Sequence, residues 1–287
     1  MNRLRVLGIL AAGLLAAAAT AASAESVLFV GNSFTFGARS PVMRFRPDKV
    51  TDLNGEGIGG VPALFRTFAE EAGLTEDVSL ETSPGKPLSW HLANRRAVID
   101  RAWDVVILQG YSTLDPAKPG DPAAHIQAAA ELARIFKAAN PKVKVYLEST
   151  WSRADQTFRP EGHWAGRPIE AMAQDLAAAS AQALKASPDL TAAIPVGTAW
   201  TRAVHAGVAD PNPYDGIDFG KVSLWTWDQY HASAEGYYLA ALVIFGQVTG
   251  VDPLSLGAQE QAAVDLGLSP AIAQGLRQAA HDELAAR

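Results

Sequence analysis

The run Trp103-Asp104-Val105-Val106-Ile107-Leu108 constrains the fold more than any other stretch of the chain. From Val105 onward it is apolar without alternation and rich in β-branched residues, so it reads as a strand with both faces covered. Such strands belong at the centre of parallel sheets, where crossover helices pack on each side. The flanking sequence agrees. Residues 26–30 form a short apolar strand, 78–82 alternate like a second, and 143–147 and 191–196 supply further ones. Between them, helical spacing recurs at Val61, Leu64, Phe65, Phe68 and Ala72, and over 88–102, 123–139 and 169–186. Gly73 and Asn140-Pro141 are stop signals. The alternation predicts an α/β fold rather than segregated classes.

The first 24 residues read as an address, not as part of that fold. Arg3 and Arg5 precede an apolar Leu/Ala run, and Ala22-Ser23-Ala24 gives the small-x-small pattern of a cleavage site. The run is roughly 15 residues, short of the ~20 a spanning helix needs, which favours a cleaved signal peptide over a retained anchor. The expected product is periplasmic or secreted, with no stable membrane insertion after cleavage. Cysteine is absent, so lipid attachment through a lipobox is excluded and stability must come from the core. The chain has a formal charge of −6, and removing two arginines with the leader makes it more acidic still. That balance argues against nucleic acid or an anionic membrane as partner. No linker or repeat divides residues 25–287, which read as one domain.

Gly31-Asn32-Ser33-Phe34-Thr35 follows the first strand and puts a serine at the carboxyl end of a parallel sheet, where ligand crevices form. A serine hydroxyl needs a base to take its proton and donors to hold the developing oxyanion. The alternative is an ordinary turn serine. Asp228-Gln229-Tyr230-His231 offers a base with a carboxylate three residues away, close enough to fix the imidazole tautomer. The alternative there is a solvated pair before the helix that Ser233 would cap. His91, His125, His205 and His281 fall in helix-like stretches, and His163 lies in an irregular aromatic segment. Ser112, after Gly110-Tyr111, is a competing nucleophile without the Gly-Asn lead-in. Loops at 36–59, 150–168 and 210–227 are long enough to be functional. Of Trp151, Trp164, Trp200, Trp225 and Trp227, most are expected to pack, with one or two at a rim. Arg153 is a candidate for orienting an anionic or hydroxyl-rich group, with a plain surface role as the alternative.

Taken together, Gly31-Asn32-Ser33-Phe34-Thr35 first and Asp228-x-x-His231 last resemble the terminal blocks of the SGNH (GDSL-like) hydrolases, in the branch that writes Gly-Asn-Ser for Gly-Asp-Ser. The resemblance extends over residues 26–250. It implies a three-layer α/β/α sandwich with a parallel sheet of about five strands, flavodoxin-like in layout. It also implies ester hydrolysis with Ser33 attacking, His231 as base then acid, and Asp228 orienting His231. The family's oxyanion hole takes the serine's own N–H, a glycine after the second strand and an Asn after the third. Here Gly85 fits the glycine better than Gly59 or Gly60, and Gln109 stands at the Asn position, one methylene longer. No metal or cofactor is implied. The expected partner is a small-molecule or carbohydrate ester, with O-acyl sugars suiting the aromatic loops. Other readings are a non-catalytic sugar-binding or surface-remodelling module on the same scaffold, or a metal phosphoesterase using Asp228, His231 and His163.

Overall fold

A computed structural model describes residues 24–287. The signal peptide expected over 1–24 therefore lies outside the described residues, Ala24 apart.

Six parallel strands form one sheet in the order β2-β3-β1-β4-β5-β6. They are β1 (Glu25–Gly31), β2 (Thr51–Asp52), β3 (Glu76–Thr82), β4 (Val105–Gln109), β5 (Lys144–Glu148) and β6 (Ala192–Ile194). The sheet exceeds the expected count of about five because of β2. This two-residue edge strand pairs Thr51 with Ser79 inside the segment read as loop, and it is too short to leave a period-2 pattern. β1 lies between β3 and β4, so the chain runs to one side of β1 and then crosses to the other. A crevice opens outside the carboxyl ends of strands where an α/β sheet reverses in this way.

Ten helices accompany the sheet: α1 (Gly60–Glu71), α2 (Leu88–Asn94), α3 (Arg96–Ile99), α4 (Ala123–Ala139), α5 (Ala154–Phe158), α6 (Glu170–Ala186), α7 (Val196–His205), α8 (Ala234–Thr249), α9 (Gln261–Leu266) and α10 (Pro270–Ala285) among the described residues. Alternation within the strands divides the core between two faces. Val27, Phe29 and Ile107 pack with Phe65 and Phe68 of α1 and Leu242 and Phe245 of α8. Leu28, Val106 and Leu108 pack with Leu88 of α2, Leu132 and Phe136 of α4 and Ala183 of α6. The arrangement is α/β/α, as expected.

α8 is apolar almost all round, since it is enclosed by α1, α7 and α10 as well as the sheet. Ser233 caps it, its Oγ accepting from Gly236 N at 3.1 Å. The helix expected over 88–102 breaks into α2 and α3 at Arg95, whose guanidinium turns in to buried Glu81 at 3.0 Å. α7 covers the helix-like stretch that ends at His205, and the chain enters it directly from β6 through Pro195.

Candidate active site

β1 ends at Gly31, and the chain must turn at once to lift Ser33 over the sheet edge. A Cβ at position 31 would collide with Thr35 Oγ1, so only glycine allows the approach. Asn32, 3 % exposed, then acts as a clip. Its Nδ2 donates to Lys86 O at 3.1 Å and Gly110 O at 3.0 Å, tying the turns after β3 and β4 to the turn after β1. Its Oδ1 accepts from Phe34 N at 3.2 Å. Tyr237, buried on α8, holds the turn from below with its hydroxyl 3.1 Å from Ser33 O and 3.2 Å from Ala38 O.

Exchanging Asn32 for aspartate keeps the shape but turns two donated hydrogen bonds into a carboxylate facing two carbonyl oxygens. Gly110 O keeps its bond from Gln109 Nε2, so the loss is that of the Lys86 O donor together with carboxylate–carbonyl repulsion, and Asn32→Asp is expected to lose about 1–3 kcal/mol. Denaturant titration checks this, and an unchanged midpoint at equal slope would contradict it.

His231 sits on the far side of the cleft. Its Nδ1 lies 2.7 Å from Asp228 Oδ2, with the two side chains 6 % and 10 % exposed. Asp228 Oδ1 meanwhile accepts from Thr226 Oγ1, Tyr230 N and His231 N at 2.9–3.2 Å. Gln229 between them adopts φ 64°, a left-handed backbone that folds Asp228 back onto the ring. Burial alone would raise the Asp228 carboxyl, but its bonds to the His231 ring and to backbone N–H groups hold it below its ordinary value. Burial lowers the His231 imidazole, with Arg153 and Arg39 adding to the effect and Asp228 opposing it. The ring is thus neutral at neutral pH, with Nδ1–H donated to Asp228 and Nε2 carrying the lone pair. Nε2 is buried and has no partner among the described residues.

Ser33, Gly85, Ser112, Arg153, Tyr230 and His231 line one cleft of about 480 Å³. Ser33 Oγ makes no hydrogen bond to His231 Nε2, a contact that commonly tightens only when substrate is bound. An aromatic stack joins the two sides of the cleft. Phe34, next to Ser33, lies flat on Trp151 at 4.2 Å between centroids and edge-on to His231 at 5.6 Å. Trp151 stacks in turn on Trp200 at 4.7 Å and donates Nε1–H to Tyr230 O at 3.0 Å. Trp151, Trp164, Trp200 and Trp225 are buried, while Trp227 is 72 % exposed at the rim. Trp151 packs, as expected of most of the tryptophans, but the contacts by which Phe34, Trp151 and Tyr237 position the cleft were not legible, because such aromatic residues look like any others that fill a core.

The three expected oxyanion donors divide. Ser33 N–H and Gly85 N–H make no hydrogen bond among the described residues, and both residues line the cleft. Gly85 has φ 65°, a conformation that suits glycine. Gln109 requires a correction. Its side chain is 1 % exposed and faces the interior, with Oε1 accepting from Asn32 N at 2.9 Å and Thr35 Oγ1 at 3.1 Å. Its Nε2 donates to Gly110 O, so no donor points into the cleft. The extra methylene lets the amide fold back and brace the turn that carries Ser33. Gly59 and Gly60 also serve that turn from the start of α1, where Val61 N donates to Thr35 O. Ser112 Oγ accepts from Arg153 at 3.1 Å and has no histidine partner. His163 packs on Trp164, apart from the dyad.

Behind the cleft, Glu148 and His125 line a small chamber with Gly110 and Thr150. Burial pushes the Glu148 carboxyl up to about 8 and the His125 imidazole down to about 4. The folded chain keeps the Glu148 proton where the unfolded chain, near 4.5, has lost it, so this group's contribution falls as pH rises from about 4.5 to about 8. His125 acts oppositely, its contribution falling as pH drops from 6.5 to about 4. Glu148→Gln is expected to raise the melting temperature relative to the parent at about pH 8, the gap closing towards about pH 4.5. An equal gap at both pH values would contradict this.

No model of a known family matches the sequence, and no curated protein matches it. Solved structures do. A DUF4886 family protein from Bacteroides uniformis is 18 % identical with a TM-score of 0.66, covering 92 % of this chain and 95 % of its own. A protein described as a GDSL-like lipase from Parabacteroides merdae is 18 % identical at 0.52, covering 79 % and 95 %. A variant of an acetyl-xylooligosaccharide esterase from Geobacillus is 17 % identical at 0.52, covering 80 % and 95 %. The fold is the one that GDSL-like hydrolases use.

Proposed function

We propose that this chain, built on the GDSL-like hydrolase fold, is a serine esterase. The observation carrying the reading is His231, oriented by Asp228 with its Nε2 unpartnered, in the same cleft as Ser33. Ser33 Oγ attacks the ester carbonyl as its proton passes to Nε2, forming the Oγ–C bond. The carbonyl oxygen becomes an oxyanion facing the Ser33 and Gly85 N–H groups. On collapse the bond to the leaving alcohol breaks, and Nε2–H returns the proton to that oxygen. Water, deprotonated by His231, then releases the acid and restores Ser33.

The finer reading is an exported enzyme acting on small-molecule or carbohydrate esters, with residues 25–287 as its domain and no nucleic-acid partner. The exposed Trp227 indole suits a sugar face, and the similarity to an acetyl-xylooligosaccharide esterase favours O-acetyl groups. The Gln109 geometry favours one second reading, a sugar-binding module without turnover, since it leaves the oxyanion one donor short of the family pattern. Acetate release from p-nitrophenyl acetate and acetylated xylo-oligosaccharides tests the esterase reading. Turnover of both is expected. Binding of the oligosaccharide without release would favour the module.

A further inference from the structure

We infer that Arg39 is a receptor for negative charge on the substrate, so that the cleft takes anionic esters; this rests on the esterase reading. The charged side chains lining the cleft are Arg39 and Arg153, with no carboxylate among the lining residues. Arg153 is spent. It makes two bonds to Asp155 at 3.0 and 2.7 Å, one to Ser112, and stacks on Tyr230 at 4.3 Å. Arg39 makes no ion pair or side-chain hydrogen bond among the described residues. It rests over the exposed Trp227 ring at 5.3 Å, a support that leaves the edges of the guanidinium fork free. An uncompensated cation in the cleft of a chain with a formal charge of −6 concentrates anions there against the overall field.

The backbone agrees. Arg39 holds φ 65°, a region where Gly or Asn is cheaper than Arg. The strain persists because Ala38 N donates to Ser33 O at 3.0 Å and Tyr237 grips both carbonyls, fixing Arg39 to the turn that carries the nucleophile. The backbone that carries this exposed cation is therefore tied to the turn that carries Ser33. A planar fork in that place suits a carboxylate carried on either the alcohol or the acyl part of the ester.

Two matched pairs test this: 4-acetoxybenzoate against its methyl ester, and monophenyl adipate against its methyl ester. The first places the anion on the alcohol and the second on the acyl arm. For at least one pair the anionic member is expected to have kcat/KM about ten-fold or more above its neutral partner, from the strength of a charge-assisted contact. The preference should shrink in about 0.5 M salt. Arg39→Gln should bring the ratio to about one and Arg39→Glu should invert it, whereas Arg134→Gln, on an exposed face of α4, should leave it intact. Calorimetric binding of 4-acetoxybenzoate and of phenyl adipate to Ser33→Ala, weakened in Ser33→Ala/Arg39→Gln, reads the same contact without turnover. Ser33-dependent hydrolysis with equal rates for both members of both pairs would overturn the inference and leave the esterase standing. Loss of all turnover with Arg39-dependent binding retained would do the reverse.

Discussion

Ser33→Ala is expected to reduce ester turnover by about 10⁵–10⁶, since loss of the nucleophile disables the dyad that serves it. The residue is only partly buried, and its side chain makes no hydrogen bond that the fold depends on. Melting temperature and circular dichroism should therefore stay at the parent values. What remains after the substitution is the stabilisation offered by the N–H groups of residues 33 and 85, which with substrate binding leaves about 10³–10⁴ over attack by water alone. If Ser112 were the nucleophile, Ser33→Ala would retain most of the rate and Ser112→Ala would lose it. The Ser112 hydroxyl accepts from Arg153 and faces no base, so that outcome would contradict the geometry.

The second large effect falls on the dyad. His231→Ala should cost about as much as Ser33→Ala, because an unassisted hydroxyl is a poor nucleophile. Asp228→Asn should cost less, about 10⁴, by presenting an amide donor to Nδ1 and disfavouring the tautomer that leaves Nε2 free. The pH profile separates these roles. The base acts only when neutral, and burial holds its titration below 6.5, so kcat/KM should rise on an acid limb with its midpoint below 6.5 and level off by neutrality. In Asp228→Asn the contribution that raises His231 is gone while the burial remains, so the residual limb should move to lower pH. A limb that moves up instead would mean that Asp228 does not govern this titration.

The fold class was legible because the β4 run, apolar on both faces, admits few neighbours other than helices, and the signals around it alternate. The turn that lifts Ser33 off β1 and the Asp228–His231 pair were legible because both depend on short local spacing: a turn after a strand, and a carboxylate three residues before a histidine. Elements set by distant contacts were not legible. β2 exists because Thr51 and Asp52 meet β3, and α2 breaks where Arg95 turns to Glu81. Gln109 shows the limit most clearly. Sequence places it at the end of β4, but whether its amide faces the cleft or the Asn32 turn depends on one rotamer, which the chain settles through Asn32 N and Thr35 Oγ1. Arg39 likewise looks like a loop arginine until the cleft around it proves to hold no acid.

The esterase reading requires that His231 activate Ser33. The most direct measurement is labelling with a fluorophosphonate, which bonds a serine oxygen only where a base removes its proton, followed by mass-spectrometric mapping of the modified peptide. One phosphonyl group per chain is expected on Ser33, absent in Ser33→Ala and strongly slowed in His231→Ala. Label on Ser112, or no label on a folded chain, would contradict it.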